Sequence, residues 1–315
     1  MIYLSLAAGL ALLLVGGEFL VRGAVNVARR LGVSELMIGL TLVGFGTSTP
    51  ELVASLDAAL VGAPGIAIGN VVGSNIANVL LILGLGALLT PMRTTRKAFL
   101  RDGPVLLGAS ALVAAACLLG AIGRPLGVLF LVLLLAYTWY IYRTEHTASD
   151  AGAATHAAEA EAIGRTPGAL GTALAIALAG LLGVLWGASL LVEAAVILAR
   201  LWGVSEAVIG LTVVAVGTSL PELATTIVAA WRRQADVAFG NVIGSNIFNL
   251  LGILGLTAAV QPLPVPPEIG RFDAWVMLGV ALFLVAFAVT GWRVSRAEGA
   301  ALLLAYAAYL LVVLG

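Results

Sequence analysis

Charged, cysteine and aromatic residues are all scarce in this chain of 315 residues. Charged residues make up 10% of it, whereas a typical soluble domain carries roughly 25%. So little polar surface excludes a water-soluble enzyme, a disordered protein and a nucleic-acid-binding protein. The single cysteine, Cys117, excludes an internal disulfide and any metal or iron–sulfur site built from several cysteines. Hydrophobic residues reach 61% instead, and mean hydropathy is +1.11, which together indicate a polytopic membrane protein.

Apolar runs bounded by charge, proline or glycine predict ten membrane-spanning helices, because one span needs about 20 mostly apolar residues. The predicted spans lie near residues 2–28, 36–60, 67–90, 104–121, 126–142, 168–199, 206–230, 237–260, 274–291 and 299–314. The expected fold class is therefore an all-α polytopic membrane protein. It comprises a first five-helix half (1–142), a polar Ala-rich linker (143–167) and a second five-helix half (168–315).

The distribution of lysine and arginine predicts the orientation, because these residues are enriched in cytoplasmic loops. With the N-terminus outside, only Arg124, Arg200 and Arg271 of the 16 basic residues fall on the outer side. We therefore expect both termini outside, the linker 143–167 in the cytoplasm, and an integral protein of the cell (inner) membrane.

The two halves carry an internal repeat. Residues 28–51 and 199–222 are identical at 16 of 24 positions, with a fixed offset of 171 (222 minus 51). The same register continues at 69–78 and 240–249, where eight of ten positions match. Because five spans precede the second copy, it enters the membrane in the opposite orientation. Inverted repeats of this kind are typical of secondary transporters, whose substrate site lies near the membrane midplane.

The first repeated motif, G-T-S-x-P-E, lies in the middle of the second helix of each half, at 46–51 and 217–222. Proline has no backbone N–H and clashes with the carbonyl four residues earlier, so Pro50 and Pro221 predict a break that frees the carbonyls of Gly46 and Gly217. Freed carbonyls at membrane depth are tolerated only where they line a cavity.

Glu51 and Glu222 place one carboxylate beside each break. A carboxylate at the membrane centre costs roughly 2.5–3.5 kcal/mol on insertion scales, and two close carboxylates repel unless a cation or proton lies between them. With the hydroxyls of Ser48 and Ser219 they form an all-oxygen site, which suits Ca²⁺ or Na⁺. Such a site lacks the histidine or cysteine that Zn²⁺ or copper prefers. Duplication makes a purely structural role for the pair a poor explanation.

The second repeated motif, G-N-V-x-G-S-N-I-x-N, opens the third helix of each half. Ser74 and Asn78 are four residues apart, as are Ser245 and Asn249, so each pair lies on one helical face and can direct oxygens at the glutamates. The motif's other asparagines fall on other faces, where capping and interhelical hydrogen bonds are the expected roles. They are Asn70, Asn75, Asn241 and Asn246.

Charges without a repeat equivalent are not expected to bind ions. Glu18 corresponds to Ser189, and Asp57 corresponds to Val228. Arg22 and Glu193 occupy equivalent positions with opposite charge. They pair across the first and sixth spans, or each extends to a membrane interface; the sequence leaves both possibilities open.

The two duplicated motifs, placed in ten predicted spans, resemble those of the cation/Ca²⁺ exchanger superfamily, and within it the compact prokaryotic sodium/calcium exchangers. The resemblance covers nearly the whole chain. It implies a ten-helix fold in which the first and sixth spans slide across a core containing the ion sites. It also implies transported Ca²⁺ and Na⁺, no cofactor, no enzymatic activity and no partner beyond the ions and the lipid bilayer; we expect a monomer.

Carried over by motif position, the resemblance assigns the ion ligands. Glu51 and Glu222 would be the central ligands for both ions, and Thr47 and Thr218 would offer backbone carbonyls to Ca²⁺. The remaining ligands would complete flanking Na⁺ sites or line the centre, and they are Ser48, Ser74, Ser219, Ser245, Ala215, Asn78 and Asn249. Potassium-dependent exchangers, and some K⁺-independent prokaryotic ones, carry aspartate where this chain has Asn249. Asparagine in both halves resembles the K⁺-independent branch, so the resemblance implies K⁺-independent exchange.

The function predicted from the sequence is therefore Ca²⁺ extrusion driven by Na⁺ entry, by alternating access. The alternative is an H⁺/Ca²⁺ antiporter, or an exchanger of another divalent cation, on the same fold. The inverted repeat disfavours a passive channel. An intramembrane enzyme is disfavoured because the spans hold no HExxH or Gly-x-Gly-Asp motif.

Overall fold

The computed structural model describes residues 2–93, 96–162, 170–202 and 215–314, and these residues are mostly helical. In the first half the helices are α1 (Ile2–Leu31), α2 (Glu35–Ile38), α3 (Gly44–Thr47), α4 (Thr49–Leu60), α5 (Pro64–Ala77), α6 (Gly84–Leu89), α7 (Arg96–Leu118) and α8 (Arg124–Ala162). In the second half they are α9 (Leu170–Leu201), α10 (Ala215–Thr218), α11 (Leu220–Trp231), α12 (Ala235–Ile247), α13 (Leu254–Val260), α14 (Ala274–Val289) and α15 (Arg296–Leu314).

Shorter elements connect or extend these helices. The π-helical turns are Gly39–Val43, Asn78–Leu83, Phe248–Ile253 and Ile269–Asp273. The first three join α2 to α3, α5 to α6, and α12 to α13. The two-residue strands are β1 (Met92–Arg93), β2 (Ala121–Ile122), β3 (Leu263–Pro264) and β4 (Arg293–Val294).

Eight helical runs in the described part of the chain are long and apolar enough to cross a membrane. The run Glu35–Thr47 with Thr49–Leu60, which bends by 43° at its break, brings the number to nine. These runs coincide with nine of the ten predicted spans. The seventh predicted span, 206–230, lies partly outside the described residues, and its described part is α10 and α11. Helix α8 continues to Ala162, so most of the predicted linker 143–167 is helical.

Large apolar side chains cover the outer surface, while the polar ones lie inside. Leu135, Leu182 and Leu304 are 69%, 66% and 73% exposed, whereas Glu51 and Glu222 are each 1% exposed. A water-soluble protein rarely exposes apolar surface so extensively, because that surface would drive association. The arrangement suits a protein whose outer surface contacts lipid.

Helices α1 and α9 form the most extensive helix pair among the described elements. Glycines allow the two backbones to approach: a Cβ on Gly16 would lie 2.7 Å from the backbone nitrogen of Val184, and one on Gly180 would collide with that of Leu20. Small residues are the usual means by which membrane helices pack this closely. The pair then packs on the core mainly through α1 against α11.

An ion cluster joins α1 to the end of the second repeat's broken helix. Glu18 pairs with Arg22 one turn later and also with Arg232, which follows α11. The second Arg232 contact, from Nε to Glu18 Oε2, measures 2.6 Å. Glu193 instead accepts a hydrogen bond from Ser189, so Arg22 is partnered within its own helix and not across the helix pair.

Two repeat-equivalent hydrogen bonds fasten the fourth helix of each half to the fifth. The Tyr137 hydroxyl donates to Asp102 at 3.0 Å, and the Tyr309 hydroxyl donates to Asp273 at 2.9 Å. Asp102 also forms a salt bridge of 2.7 Å with Arg101, and it is fully buried. These pairs link α7 to α8, and the π-helical turn that leads into α14 to α15.

The strands pair between the halves. Strand β1 pairs antiparallel with β4, and β2 pairs antiparallel with β3. Helix contacts are reciprocal in the same way: α6 packs on α15, and its repeat equivalent α13 packs on α8. Each half therefore packs on the other through equivalent strands and helices.

The glycine contact between α1 and α9 can be tested on a single helix. We expect Gly180→Ala to lower the free energy of unfolding by about 1–3 kcal/mol, and the melting temperature with it, because the added methyl group forces the two backbones apart. Gly171→Ala, on the same helix with open space around its Cα, is the matched control and should leave the melting temperature unchanged or slightly raised. Equal melting temperatures for the two variants would contradict the close packing.

Candidate ion-binding site

Two helix breaks with nearly the same backbone geometry form the centre of the molecule. Ser48 separates α3 from α4 with φ −80° and ψ 11°, and Ser219 separates α10 from α11 with φ −87° and ψ 6°. The breaks occur where the sequence predicts them, one or two residues before Pro50 and Pro221. One detail differs from the expectation: the Gly46 carbonyl is not free, because it accepts a hydrogen bond of 2.7 Å from the Thr49 hydroxyl.

Each glutamate is bound by the serine of the opposite half. The Ser48 hydroxyl donates to Glu222 Oε1 at 2.7 Å, and the Ser219 hydroxyl donates to Glu51 Oε1 at 3.1 Å. Ser74 lies next to this group, with its hydroxyl oxygen 3.5 Å from that of Ser219. The predicted convergence of the two carboxylates and three of the predicted serines is therefore observed.

Several buried oxygens at this centre have no hydrogen-bond partner among the described residues. They are Oε2 of both Glu51 and Glu222 and Oδ1 of both Asn78 and Asn249. A buried polar atom without a partner is costly, so native proteins rarely leave one without a function. Here five such atoms belong to predicted ligand residues; four are oxygens available to a hard cation, and the fifth is the amide nitrogen of Asn249.

The fourth predicted serine contacts the first break from the other half. The Ser245 hydroxyl donates to the Gly44 carbonyl at 3.1 Å, and the Thr47 hydroxyl donates to the same carbonyl at 3.3 Å. In the second half, Ala215, the repeat equivalent of Gly44, begins α10, and Thr218 ends it. Both therefore lie in the short helix directly before the second break.

The π-helical turns determine where the predicted asparagines lie. One turn begins at Asn78, and the equivalent turn, starting at Phe248, contains Asn249; both asparagines are buried. A π-helical turn adds a residue to the helical repeat and redirects the side chains that follow, and such turns are frequent at functional sites. Asn78 also donates to Asn246 Oδ1 at 3.0 Å, which joins the third helices of the two halves.

Two further pairs hold the glutamates in place. Asn70 donates to the backbone carbonyl of Glu51 at 3.1 Å and to the Ser55 hydroxyl at 2.9 Å. Asn241 makes the equivalent bonds to the Glu222 carbonyl at 3.2 Å and to Thr226 at 2.9 Å. The asparagines thus have the predicted interhelical role. The contacts of the Ser55 and Thr226 hydroxyls were not predicted. A hydroxyl residue four positions after each glutamate recurs in both halves, and this repeated spacing could have indicated them.

The two carboxylates have no positively charged partner among the described residues. Within the described ranges, no lysine or arginine forms an ion pair with Glu51 or Glu222, and no group of three or more His, Cys, Asp or Glu side chains is present. Hydroxyl donors alone offset only part of the cost of burying a carboxylate. The arrangement is suited to binding cations that enter and leave.

A family profile described as sodium/calcium exchanger protein matches residues 1–143 and 172–315. The chain belongs to the sodium/calcium exchanger family. This is a family of ion transporters and not of enzymes, with Na⁺ and Ca²⁺ as the transported substrates and no cofactor indicated. Family membership and the apolar helices together make the chain an integral membrane protein.

Relatives of this exchanger extend along its whole length. It is 36% identical to the sodium/calcium exchanger MaX1 of Methanosarcina acetivorans, covering 98% of this chain and 97% of the relative. It is also 36% identical to the inner membrane protein YrbG of Escherichia coli, covering 93% and 90%. A structure of the sodium-calcium exchanger NCX_Mj soaked with Na⁺ and Ca²⁺ superposes with a TM-score of 0.82 at 31% identity, covering 98% and 96% of the chains.

The hydrogen bonds from Asn241 predict a measurable role in positioning. We expect Asn241→Ala to weaken Ca²⁺ binding by roughly tenfold, because removing a group that orients a metal ligand typically costs 10- to 100-fold in affinity. Isothermal titration with Ca²⁺ and a parallel melting curve separate this effect from general destabilisation.

Ser110→Ala is the control for that substitution. Ser110 is buried and donates only within its own helix, to the Leu106 carbonyl, and its repeat equivalent is already Ala281. An Asn241→Ala protein that binds Ca²⁺ as tightly as the Ser110→Ala protein would show that Asn241 does not position Glu222.

Proposed function

We propose that this protein exchanges Na⁺ for Ca²⁺ across the cell membrane by alternating access, without a requirement for K⁺. The observation that carries the proposal is the pair of buried carboxylates, Glu51 and Glu222, each bound by a serine of the opposite half and each retaining one oxygen without a partner. The names of its relatives, the exchanger MaX1 among them, support the same choice of ions.

Ca²⁺ would bind between the two glutamates, because two negative charges neutralise one divalent cation. Ca²⁺ takes six to eight oxygen ligands at about 2.3–2.6 Å. The carboxylates of Glu51 and Glu222 and the backbone carbonyls of Thr47 and Thr218 are the proposed ligands.

Na⁺ would bind at the same carboxylates and at flanking oxygens. The proposed flanking ligands are Ser48, Ser74, Ser219, Ser245, the Ala215 carbonyl, Asn78 and Asn249. Sharing the carboxylates prevents both kinds of ion from binding together, and this competition couples the two fluxes. An amide at Asn249, where K⁺-dependent relatives in the superfamily carry aspartate, keeps the charge of the site at minus two and supports K⁺ independence.

We further propose ten spans in two inverted five-helix repeats, 1–142 and 168–315, joined by a cytoplasmic linker at 143–167. Both termini would lie outside the inner membrane, and the protein would act as a monomer. The reciprocal strand pairing and helix contacts support the repeat arrangement. In alternating access, the closely packed pair α1 and α9 would move across the site.

Charge-neutralising substitutions test the assignment of the site. We expect Glu51→Gln and Glu222→Gln each to abolish ⁴⁵Ca²⁺ uptake into proteoliposomes loaded with Na⁺, since each removes one of the two charges that balance Ca²⁺. Glu35→Gln is the control, because Glu35 begins α2, directly before the same predicted span, and pairs with the exposed Arg29. Uptake in both site variants at the level of Glu35→Gln would refute the assignment.

The driving ion is tested with the unsubstituted protein. Vesicles loaded with Na⁺, with K⁺ or with acidic buffer are compared, and we expect uptake only under the outward Na⁺ gradient. Uptake driven by the proton gradient alone would assign the protein to H⁺/Ca²⁺ exchange at the same carboxylates. Absence of Ca²⁺ uptake under all three gradients, with Mn²⁺ or Mg²⁺ transported instead, would assign it another divalent substrate.

A further inference from the structure

Two arginines lie directly opposite each other in the small sheet formed by β1 and β4. The antiparallel register pairs Arg93 with Arg293, and both side chains are exposed. Like charges directly opposite each other in a sheet destabilise the pairing. The neighbouring pair in the same sheet, Met92 with Val294, is buried and apolar, so it supplies the packing. The arginine pair therefore needs an explanation of its own.

The second sheet, formed by β2 and β3, shows that the strand pairing does not require these arginines. By the repeat offset, Arg93 corresponds to Pro264, and the residue that pairs with Pro264 across the second sheet is Ala121. Arg96, on the same face as the arginine pair, corresponds to Pro267. The equivalent positions on the opposite face are thus all uncharged, although the strand pairing is the same.

A nearby arginine has a structural role on both faces and is a useful contrast. Arg296 donates to the carbonyl of Leu89 at the end of α6, at 3.2 Å. Its equivalent Arg124 donates to the carbonyl of Val260 at the end of α13, at 3.4 Å. A cation at a helix C-terminus is stabilising, which accounts for this pair of arginines. It does not account for the arginine pair of the first sheet.

No acidic residue in the described part of the chain neutralises the arginine pair. Across the described ranges, neither Arg93 nor Arg293 forms an ion pair, and the nearby Glu298 accepts hydrogen bonds from Ser295. The guanidinium of Arg96 lies 5.5 Å from the ring centre of Trp292, which orients it by a cation–π contact. The result is a cluster of three exposed cationic side chains beside an aromatic ring.

The cluster lies where apolar helices end. Helix α6 ends at Leu89 and α14 ends at Val289, and these two side chains are 51% and 43% exposed. Exposed apolar side chains at the ends of these helices, followed directly by exposed arginines, are typical of the headgroup level of a bilayer. Tryptophan is enriched at the same level.

We propose that Arg93, Arg293 and Arg96 bind the phosphate of an anionic membrane phospholipid, with Trp292 beside its headgroup. The phosphate removes the repulsion between the paired arginines, and its acyl chains lie along the exposed ends of α6 and α14. Because β1 and β4 come from different halves of the chain, the bound lipid joins the two halves on this face. The proposal depends on placement in a membrane and not on the identity of the transported ions.

The test compares thermal unfolding in nanodiscs of phosphatidylcholine with unfolding in nanodiscs that also contain phosphatidylglycerol. We expect phosphatidylglycerol to raise the melting temperature of the unsubstituted protein by about 2–4 °C, since a ligand bound only to the folded state stabilises it. We expect Arg93→Gln/Arg293→Gln to lose that rise and, in native mass spectrometry, to retain roughly tenfold less phosphatidylglycerol. The double variant should fold, because the equivalent strands pair with Ala121 and Pro264 at these positions.

A second double variant separates a defined site from general attraction between positive charge and anionic lipid. Arg143→Gln/Arg233→Gln removes the same charge at exposed positions predicted to lie on the same membrane face, and it should keep the full rise. Arg93→Lys/Arg293→Lys should keep most of it. Loss of the rise in the Arg143/Arg233 variant, or its retention in Arg93→Gln/Arg293→Gln, would overturn the proposal. So would an equal rise caused by inorganic phosphate in phosphatidylcholine nanodiscs, since the ligand would then be a free anion.

Discussion

The structure depends on burying two acidic residues, Glu51 and Glu222, with which no basic side chain of the described residues forms an ion pair. The residues around them lower part of the free-energy cost of burying the two carboxylates. The helix breaks bring Ser48 and Ser219 within hydrogen-bond distance of the opposite carboxylate. The second motif then surrounds them with amide and hydroxyl oxygens and not with cations. A fixed arginine here would neutralise one of the two carboxylates that we propose as ligands of the transported ions.

The duplication distinguishes features that belong to the fold from features that belong to one face of the membrane. The Asp102–Tyr137 bond recurs as Asp273–Tyr309, and the arginine at the end of α6 recurs at the end of α13. These two recurring contacts are thus accounted for by the architecture. Those present once, such as the paired arginines of the first sheet and the ion cluster around Glu18, are accounted for by something outside it or by a difference between the two faces.

The sequence predicts much of this site because its signals are local and repeated. Pro50 and Pro221 each fix a break by their missing N–H, and the spacing of Ser74 from Asn78 places both on one helical face. Nine of the ten predicted spans coincide with helical runs, because hydropathy is summed over many residues and is therefore insensitive to local irregularity.

Other features depend on contacts that no local pattern reports. The π-helical turn that begins at Asn78 is one such feature, because helical spacing arguments for the residues after it assume an unbroken α-helix. Ser48 donates to Glu222, which lies 174 positions further along the chain, and no local pattern predicts that pairing. The Thr49 hydroxyl occupies the Gly46 carbonyl in the first half only, because the equivalent of Thr49 is Leu220. Helix α8 runs past the predicted span because alanine-rich polar segments favour helix whether or not a membrane surrounds them.

The ion cluster of Glu18, Arg22 and Arg232 has a kinetic consequence. Its equivalents in the other half are Ser189, Glu193 and Val61, which cannot form the same pairs. Two halves that exchange conformations would reach end states of equal free energy only if their side chains were also equivalent. The described conformation holds these charged contacts between α1 and the end of α11. If the proposed movement of α1 breaks them, the inward and outward transitions differ in rate, and ion gradients of equal size and opposite direction drive exchange at different speeds.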